Sequence, residues 1–241
     1  SYSEGFKVGG INGNDCNPPW DPETVASYEV GYKATLNDGA ATVSAAAFHY
    51  DYSDFQVAQV IGIVGIIVNA GDSTIDGFEL EVNSNIGDDW TVSAGFTYLD
   101  SAYGDFLNTD ALQGDAGVLQ NKGNPLNKAP KTNLNIGIVR NVTFDSGANL
   151  ALSLNTAYRS RTYFREFGQL DDSQAAYMVV NLNANFETAD ELLTGRFFVN
   201  NATDEAYITD LSTGDSQYGR HASWGMPRHI GIELTRHFGQ R

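Results

Sequence analysis

The sequence predicts an all-β protein, the wall of an antiparallel transmembrane barrel with about ten strands. Three observations predict it. Apolar and polar residues alternate with period two over stretches longer than ordinary strands. Connections alternate between tight turns and long polar loops, and aromatic residues gather near the ends of the alternating stretches.

Taken in order, Ser1 to Gly9 reads as the upper part of a strand, followed by a polar loop through Asn12, Asn14, Asp15, Pro18, Pro19 and Asp21. Tyr28, Val30, Tyr32, Ala34 and Leu36 then alternate with Glu29, Gly31, Lys33 and Thr35. Asn37-Asp38-Gly39 supplies the positive φ angles of a tight hairpin turn. Thr42 to Gln59 reads as one long strand with Phe48, Tyr50 and Tyr52 on one parity. Phe78, Leu80, Val82 and Ile86 alternate with Gly77, Glu79, Glu81 and Asn85, and Gly87-Asp88-Asp89 turns the chain.

Trp90, Val92, Ala94, Phe96 and Tyr98 oppose Thr91, Ser93, Gly95 and Thr97, before a long loop from Asp100 to Lys128. Leu134, Ile136 and Ile138 open a strand that runs down to Phe144. After Asp145-Ser146-Gly147, Leu150, Leu152 and Leu154 run up opposite Ala151, Ser153 and Asn155. Met178, Val180, Leu182, Ala184 and Phe186 alternate with Asn181, Asn183, Asn185 and Glu187. The final pair is Arg196 to Ile208 and Arg228 to Phe238, where Ile230, Ile232 and Leu234 oppose Glu233, Thr235 and His237.

A soluble sandwich also alternates, but it has no reason to keep every second connection short. Trp90, Phe144, Phe186 and Phe238 fall beside the short turns and predict an inner aromatic girdle, with Tyr98, Tyr158 and Tyr177 near an outer one. Arg140 and Arg236 fall on the lipid-facing parity near the inner edge. Either their guanidiniums reach headgroups there, or a bulge flips the parity.

Composition narrows the function. Charged residues make up 18%, fewer than the roughly 25% of a typical soluble domain. Val57 to Val68, the longest weakly apolar stretch, is interrupted by Gln59, Gly62 and Gly65 and is too short for a membrane helix of about 20 residues. Fourteen basic against thirty acidic residues give a formal charge of −16, which argues against a nucleic-acid partner. Cys16 is the single cysteine, so the chain holds no internal disulfide and no multi-cysteine metal site. It either pairs with a cysteine elsewhere or stays free. Opening at Ser1 without methionine or signal, the chain reads as a fragment or processed piece.

Several motifs occur in a fixed order. They are Gly5-Phe6-Lys7, Pro22-Glu23-Thr24, Tyr28-Glu29-Val30-Gly31-Tyr32-Lys33, Ala47-Phe48 with Tyr52 and Gln56, and Asn69-Ala70-Gly71 with Gly77-Phe78-Glu79. Ala129-Pro130-Lys131 and Asn200-Asn201-Ala202-Thr203-Asp204 with Tyr207 complete the series. This order resembles the C-terminal half of TonB-dependent outer-membrane receptors of the iron-complex type, across essentially the whole chain. The resemblance implies a barrel of about 22 strands with an N-terminal plug, driven by the TonB energy-transducing complex through a box before the plug. Residues 1–241 would then be the C-terminal part of that barrel, with plug and earlier strands absent. Such barrels usually close on an aromatic residue, and here Phe238 precedes Gly239-Gln240-Arg241.

The function implied is energised uptake of a ferric siderophore or similar iron complex across the outer membrane of a Gram-negative bacterium. Outer-membrane lipid and lipopolysaccharide would be its surroundings. Haem, cobalamin or oligosaccharide on the same scaffold is an alternative cargo. A passive porin is another, and would be a complete barrel of about 16 to 18 strands. An outer-membrane hydrolase would need a nucleophile and base, and no Gly-x-Ser-x-Gly elbow occurs. No catalytic residue, resident metal or cofactor is expected.

The sharpest candidate site is a ladder of Arg159, Arg161, Tyr163 and Arg165. Parity from Leu150, Leu152 and Leu154 puts these four on the lumen side near the outer rim. Inward guanidiniums suit an anionic ferric chelate through charge-assisted bonds. Alternatively they brace the wall by pairing with Glu79, Glu81 or loop carboxylates. Asp100, Asp105, Asp110 and Asp115 recur every fifth residue in the longest loop, a spacing that fits no calcium loop and reads as a solvated loop. His49, His221, His229 and His237 read as wall residues, and Trp224 as an interfacial anchor for its loop.

Overall fold

A computed structural model describes residues 1–13, 19–61, 64–110, 112, 118–213 and 219–238. Cys16, Asp115 and Gly239 to Arg241 lie outside these described residues. The strands in chain order are β1 (Tyr2–Lys7), β2 (Glu23–Leu36), β3 (Ala41–Ser53), β4 (Gln56–Ile61), β5 (Val64–Asn69) and β6 (Ser73–Ile86). Then come β7 (Trp90–Tyr103), β8 (Leu107–Thr109), β9 (Val118–Gln120), β10 (Thr132–Thr143), β11 (Asn149–Arg159) and β12 (Thr162–Tyr163). The last six are β13 (Ser173–Gln174), β14 (Tyr177–Glu187), β15 (Leu193–Asn200), β16 (Ile208–Thr213), β17 (Arg220–Trp224) and β18 (His229–Arg236).

Ten of these form one antiparallel sheet in the order β1-β2-β3-β6-β7-β10-β11-β14-β15-β18. They are the ten strands expected from the alternation. The remaining eight pair as four small hairpins, β4–β5, β8–β9, β12–β13 and β16–β17. Each hairpin rises from a long connection, so all four decorate the same end of the wall. The other end is closed by short turns, among them Asn37–Gly39, whose φ angles of 52°, 53° and 97° are all left-handed. Among the described residues, no helix is long and apolar enough to cross a membrane.

Directly paired residues share a face of a sheet, so the register fixes the two sides. One row runs Val43, Val82, Ala94, Ile136 from β3 through β10. A parallel row runs Ile138, Leu154, Leu182, Val199, Ile230 to the far edge. The opposite face carries Glu79, Glu81, Asn83, Gly95, Asn135, Asn155 and Asn181 at matching heights. Apolar outside and polar inside is the lipid-to-lumen polarity of a membrane barrel. Wall registers carry no slip at Arg140, paired with Trp90 and Leu152, or at Arg236, paired with Leu193. Both arginines therefore keep the lipid-facing parity, and no bulge removes them from it.

The structure corrects three expectations. The stretch from Thr42 to Gln59 is not one strand, because Asp54 at φ 55° breaks it between β3 and the hairpin strand β4. Likewise Arg196 to Ile208 is divided at an elbow where Asn201 and Asp204 take φ of 49° and 56°. Tyr177 pairs with Arg159 and so faces the lumen, which removes it from the outer lipid girdle. Phe48 and Tyr50 also face inward, stacked at 4.9 Å between ring centroids. Phe48 lies over Gly77, where a Cβ would stand 2.2 Å from its Cζ. The glycine thus makes room for a lumenal ring.

Above the wall, Val57, Ala70, Tyr103, Phe106 and Leu126 form a small buried apolar core. Hairpin β4–β5 and the loop after β7 close over it, so the rim has packing of its own.

Candidate functional site at the mouth of the wall

Strand β11 carries its alternation up to Arg159 and stops there. Arg159 is paired with Asn133 and Tyr177, on the same face as Ala157 and Asn155. It is exposed, and its guanidinium makes no hydrogen bond or ion pair with any described residue. It lines an open concavity of about 730 Å³ together with Lys128, Pro130, Asn133, Tyr177, Tyr207 and Thr209.

The other three predicted residues go elsewhere, because the chain leaves the sheet after Arg159. Arg161 is exposed and donates from Nη1 to Ser173 Oγ at 2.8 Å. Tyr163 lies in hairpin β12–β13, half-buried, and its carbonyl accepts the Lys128 amide at 2.8 Å. Arg165 is drawn into the rim, its side chain 11% exposed, where it pairs with Asp110 and with Asp172. Asp110 is 1% exposed and Asp172 0%. So the ladder is not one surface, and the partners of Arg165 are loop carboxylates rather than Glu79 or Glu81.

Arg220, which sequence reasoning passed over, completes this network. Its Nε donates to Asp172 Oδ1, and its Nη2 to Asp171 Oδ2 at 2.8 Å. The hydrogen bond with Asp172 is the main reason its guanidinium is held above the ordinary arginine range. Asp172 thus joins two guanidiniums from two loops, and Asp110 brings in a third loop. Arg165 also stacks on Phe167 at 4.5 Å. Burial makes such a network costly to break from one side. The side-chain amides of Asn108 and Asn124 donate hydrogen bonds to the side-chain and main-chain oxygens of Glu166, respectively.

Asp110, expected in a solvated loop, is therefore buried. Asp105 and Asp100 pair instead with Lys122 and Lys131, at 2.8 and 3.0 Å. Among the described residues, no group of three or more His, Cys, Asp or Glu is arranged to hold a metal ion.

The two tyrosines of the concavity are stacked, with centroids 4.5 Å apart and planes 13° apart. Tyr207 is placed by the elbow of the Asn200-to-Asp204 motif. Asn201 donates to the carbonyls of Glu205 and Met226 at 2.8 and 3.0 Å and accepts the Glu205 amide. Gly225 lies under the Tyr207 ring, where any Cβ would collide at 2.1 Å. Lys128 reaches Asp210 at 2.7 Å, and that bond is the leading cause that holds the Asp210 carboxyl below its ordinary range. Arg159 and Lys128 against Asp210 leave the concavity cationic in a chain of formal charge −16.

An apolar-out, polar-in wall with a built rim defines a membrane-barrel protein, and the comparisons give its class. Residues 1–202 match the family described as TonB dependent receptor-like, beta-barrel. The chain belongs to this family. A probable TonB-dependent siderophore receptor, PiuA, of Acinetobacter baumannii is 40% identical over 91 residues, 38% of this chain and 12% of that protein. The ferric-pyoverdine BN7/BN8 receptor of Pseudomonas putida is 26% identical over 231 residues, 95% of this chain and 25% of that protein.

Among solved structures, the ferric yersiniabactin uptake receptor FyuA from Yersinia pestis matches with a TM-score of 0.78 and 21% identity, over 99% of this chain and 34% of that one. The siderophore receptor PiuA from Acinetobacter baumannii matches with a TM-score of 0.74 and 22% identity, over 97% and 32%. Likeness at this identity shows the fold. The chain spans a quarter or less of these curated relatives and about a third of these structures.

Proposed function

We propose that the chain is part of the barrel wall and mouth of an outer-membrane receptor for energised uptake of a ferric siderophore or similar iron chelate. The plug and the rest of the wall belong to the longer receptor, and the TonB complex acts on that plug. Membership of the family and the siderophore receptors among its relatives support this reading.

The observation that carries it to this chain is Arg159. A guanidinium without a described protein partner faces a cationic, tyrosine-lined concavity on the lumen side of the rim. Five fixed donors beside aromatic faces suit an anionic chelate with carboxylate, phenolate or hydroxamate oxygens. Lys128, Tyr177 and Tyr207 shape the same surface, while Arg165 holds the rim that frames it.

The test replaces Arg159 by glutamine in the complete receptor and measures binding of ferric catecholate and ferric hydroxamate chelates by quenching of intrinsic fluorescence. Loss of one charge-assisted contact should weaken the preferred chelate by about ten- to a hundredfold. Heat-modifiable migration on a detergent gel should stay unchanged. Equal affinity in wild type and Arg159→Gln would remove Arg159 from the grip. Binding of haem, cobalamin or an oligosaccharide in place of every iron chelate would change the cargo.

A further inference from the structure

Arg140 and Arg236 are the two arginines that the unbroken register leaves on the lipid-facing side. Both lie at the short-turn end of the wall. Arg140 pairs with Trp90, the first residue of β7, and Arg236 with Leu193, the first residue of β15. The Arg140 guanidinium sits 5.2 Å from the centre of the Trp90 ring, and that of Arg236 sits 5.2 Å from the centre of Phe238. Neither makes a hydrogen bond or an ion pair with any described residue. Asp190, in the turn beside Arg236, is not a substitute. Its carboxyl is held low first by the Thr188 hydroxyl, then by the Leu192 amide, and Arg236 is the weakest of the causes.

A guanidinium laid on a ring keeps its N–H groups free around its edge. On the lipid face of a barrel water is scarce, and an unmatched cation there is costly. The group that lies at this depth and carries matching oxygens is the phosphodiester of a phospholipid. Ring and guanidinium together fix the height and the plane at which that phosphate can be met, whereas a flexible lysine would fix neither.

We propose that Arg140 on Trp90 and Arg236 on Phe238 are two phospholipid clips, each holding the phosphodiester of an anionic phospholipid in the periplasmic leaflet. A phosphatidylglycerol-type headgroup is favoured because it brings no ammonium beside the guanidinium. β10 and β18 are four strand spacings apart, about 19 Å across the strands, and the paired row through Arg140 meets β18 at Ile232, four residues before Arg236. Leu150, Leu152, Ala184 and Phe186 lie on the same face between them and seat the acyl chains. The inference rests on the outer-membrane reading above.

The test uses the complete receptor in dodecyl maltoside, supplied with dimyristoyl phosphatidylglycerol, dimyristoyl phosphatidylcholine or inorganic phosphate, and counts retained lipid by native mass spectrometry. Wild type should retain two phosphatidylglycerols beyond those kept by the Arg140→Gln, Arg236→Gln double variant, and each single variant should retain one fewer than wild type. Apparent affinity at the altered clip should fall about tenfold. Trp90→Leu, which keeps the guanidinium and removes its platform, should weaken the first clip alone.

Unchanged phosphatidylglycerol retention in the double variant would overturn the inference. So would equal retention of phosphatidylcholine, or displacement of the lipid by millimolar inorganic phosphate, which would make these general anion contacts. Heat-modifiable migration is read on the same samples. If it is absent in wild type, the outer-membrane reading fails; if it is present while lipid retention is unaltered, only the clips fail.

Discussion

At the scale of single residues, Asp172 is an acceptor through which Arg165 joins the rim, while Arg159 is the arginine of the ladder for which we propose ligand contact. Asp172 is fully buried and ties Arg165 to Arg220. Asp172→Ala leaves both guanidiniums without that acceptor and should cost about 3 to 5 kcal/mol of rim stability. Hydrogen exchange should read this as lost protection in β12, β13 and β17, with the wall strands untouched; protection equal to wild type would show that the network does not brace the rim. Lys128 and Asp210 give a pH-dependent contact. Both are more than half exposed, so the contact is screened and modest. Because the folded Asp210 pKa is depressed, the contribution is complete above the unfolded carboxylate value of about 4 and is lost as pH falls through the lower folded value. Exchange across residues 126–130 and 207–211 should therefore hold steady from pH 8 to about 5 and rise only below about 4. Asp210→Asn should show the acid behaviour at neutral pH, and a transition near pH 6 would point to another group.

At the scale of elements, lipid-facing and lumenal positions respond differently to the same charge. Leu154→Arg places a guanidinium on the lipid face at mid-height and should cost about 2 to 4 kcal/mol, whereas Asn155→Arg faces the lumen and should cost little. Urea titration of the receptor in vesicles gives both values, and equal costs would contradict the face assignment. Glycines divide in the same way. Gly77→Ala pushes the Phe48 ring aside and should destabilise by about 1 kcal/mol, while Gly95, with nothing within 4 Å of its Cβ position, should accept alanine freely. The wall was legible in the sequence because long alternation and short turns are local signals. The rim was not. A strand and the hairpin above it read as one run in 42–59 and in 196–208, since a single left-handed residue such as Asp54 leaves no mark in hydropathy. The inward side of Tyr177 was already implied by the alternation, since it shares the parity of Asn181 and Asn183, but its place at a strand end matched the girdle pattern of aromatic residues. Arg220 was invisible because its partners lie 48 and 49 residues away in sequence. The motif around Asn201 was visible as a pattern, but its work of setting Tyr207 on Gly225 needed coordinates.

At the scale of the whole molecule, ten strands in sequence order make an open wall whose β1 and β18 edges pair with no described strand. Open edges are not tolerated in lipid, so residues 1–241 expressed alone should aggregate rather than insert. A monodisperse, heat-modifiable species of this size would show that the ten strands close by themselves. The proposed mouth site and the proposed lipid clips both rest on the assignment of faces. Its most direct test places a nitroxide in turn at residues 150–157 of β11 in the complete receptor in lipid vesicles, with Cys16 replaced by serine. Collision with oxygen reports lipid, and collision with a water-soluble nickel chelate reports the lumen. Oxygen should dominate at Leu150, Leu152, Leu154 and Thr156, and nickel at Ala151, Ser153, Asn155 and Ala157. Opposite phase, or nickel access at all eight positions, would contradict the account.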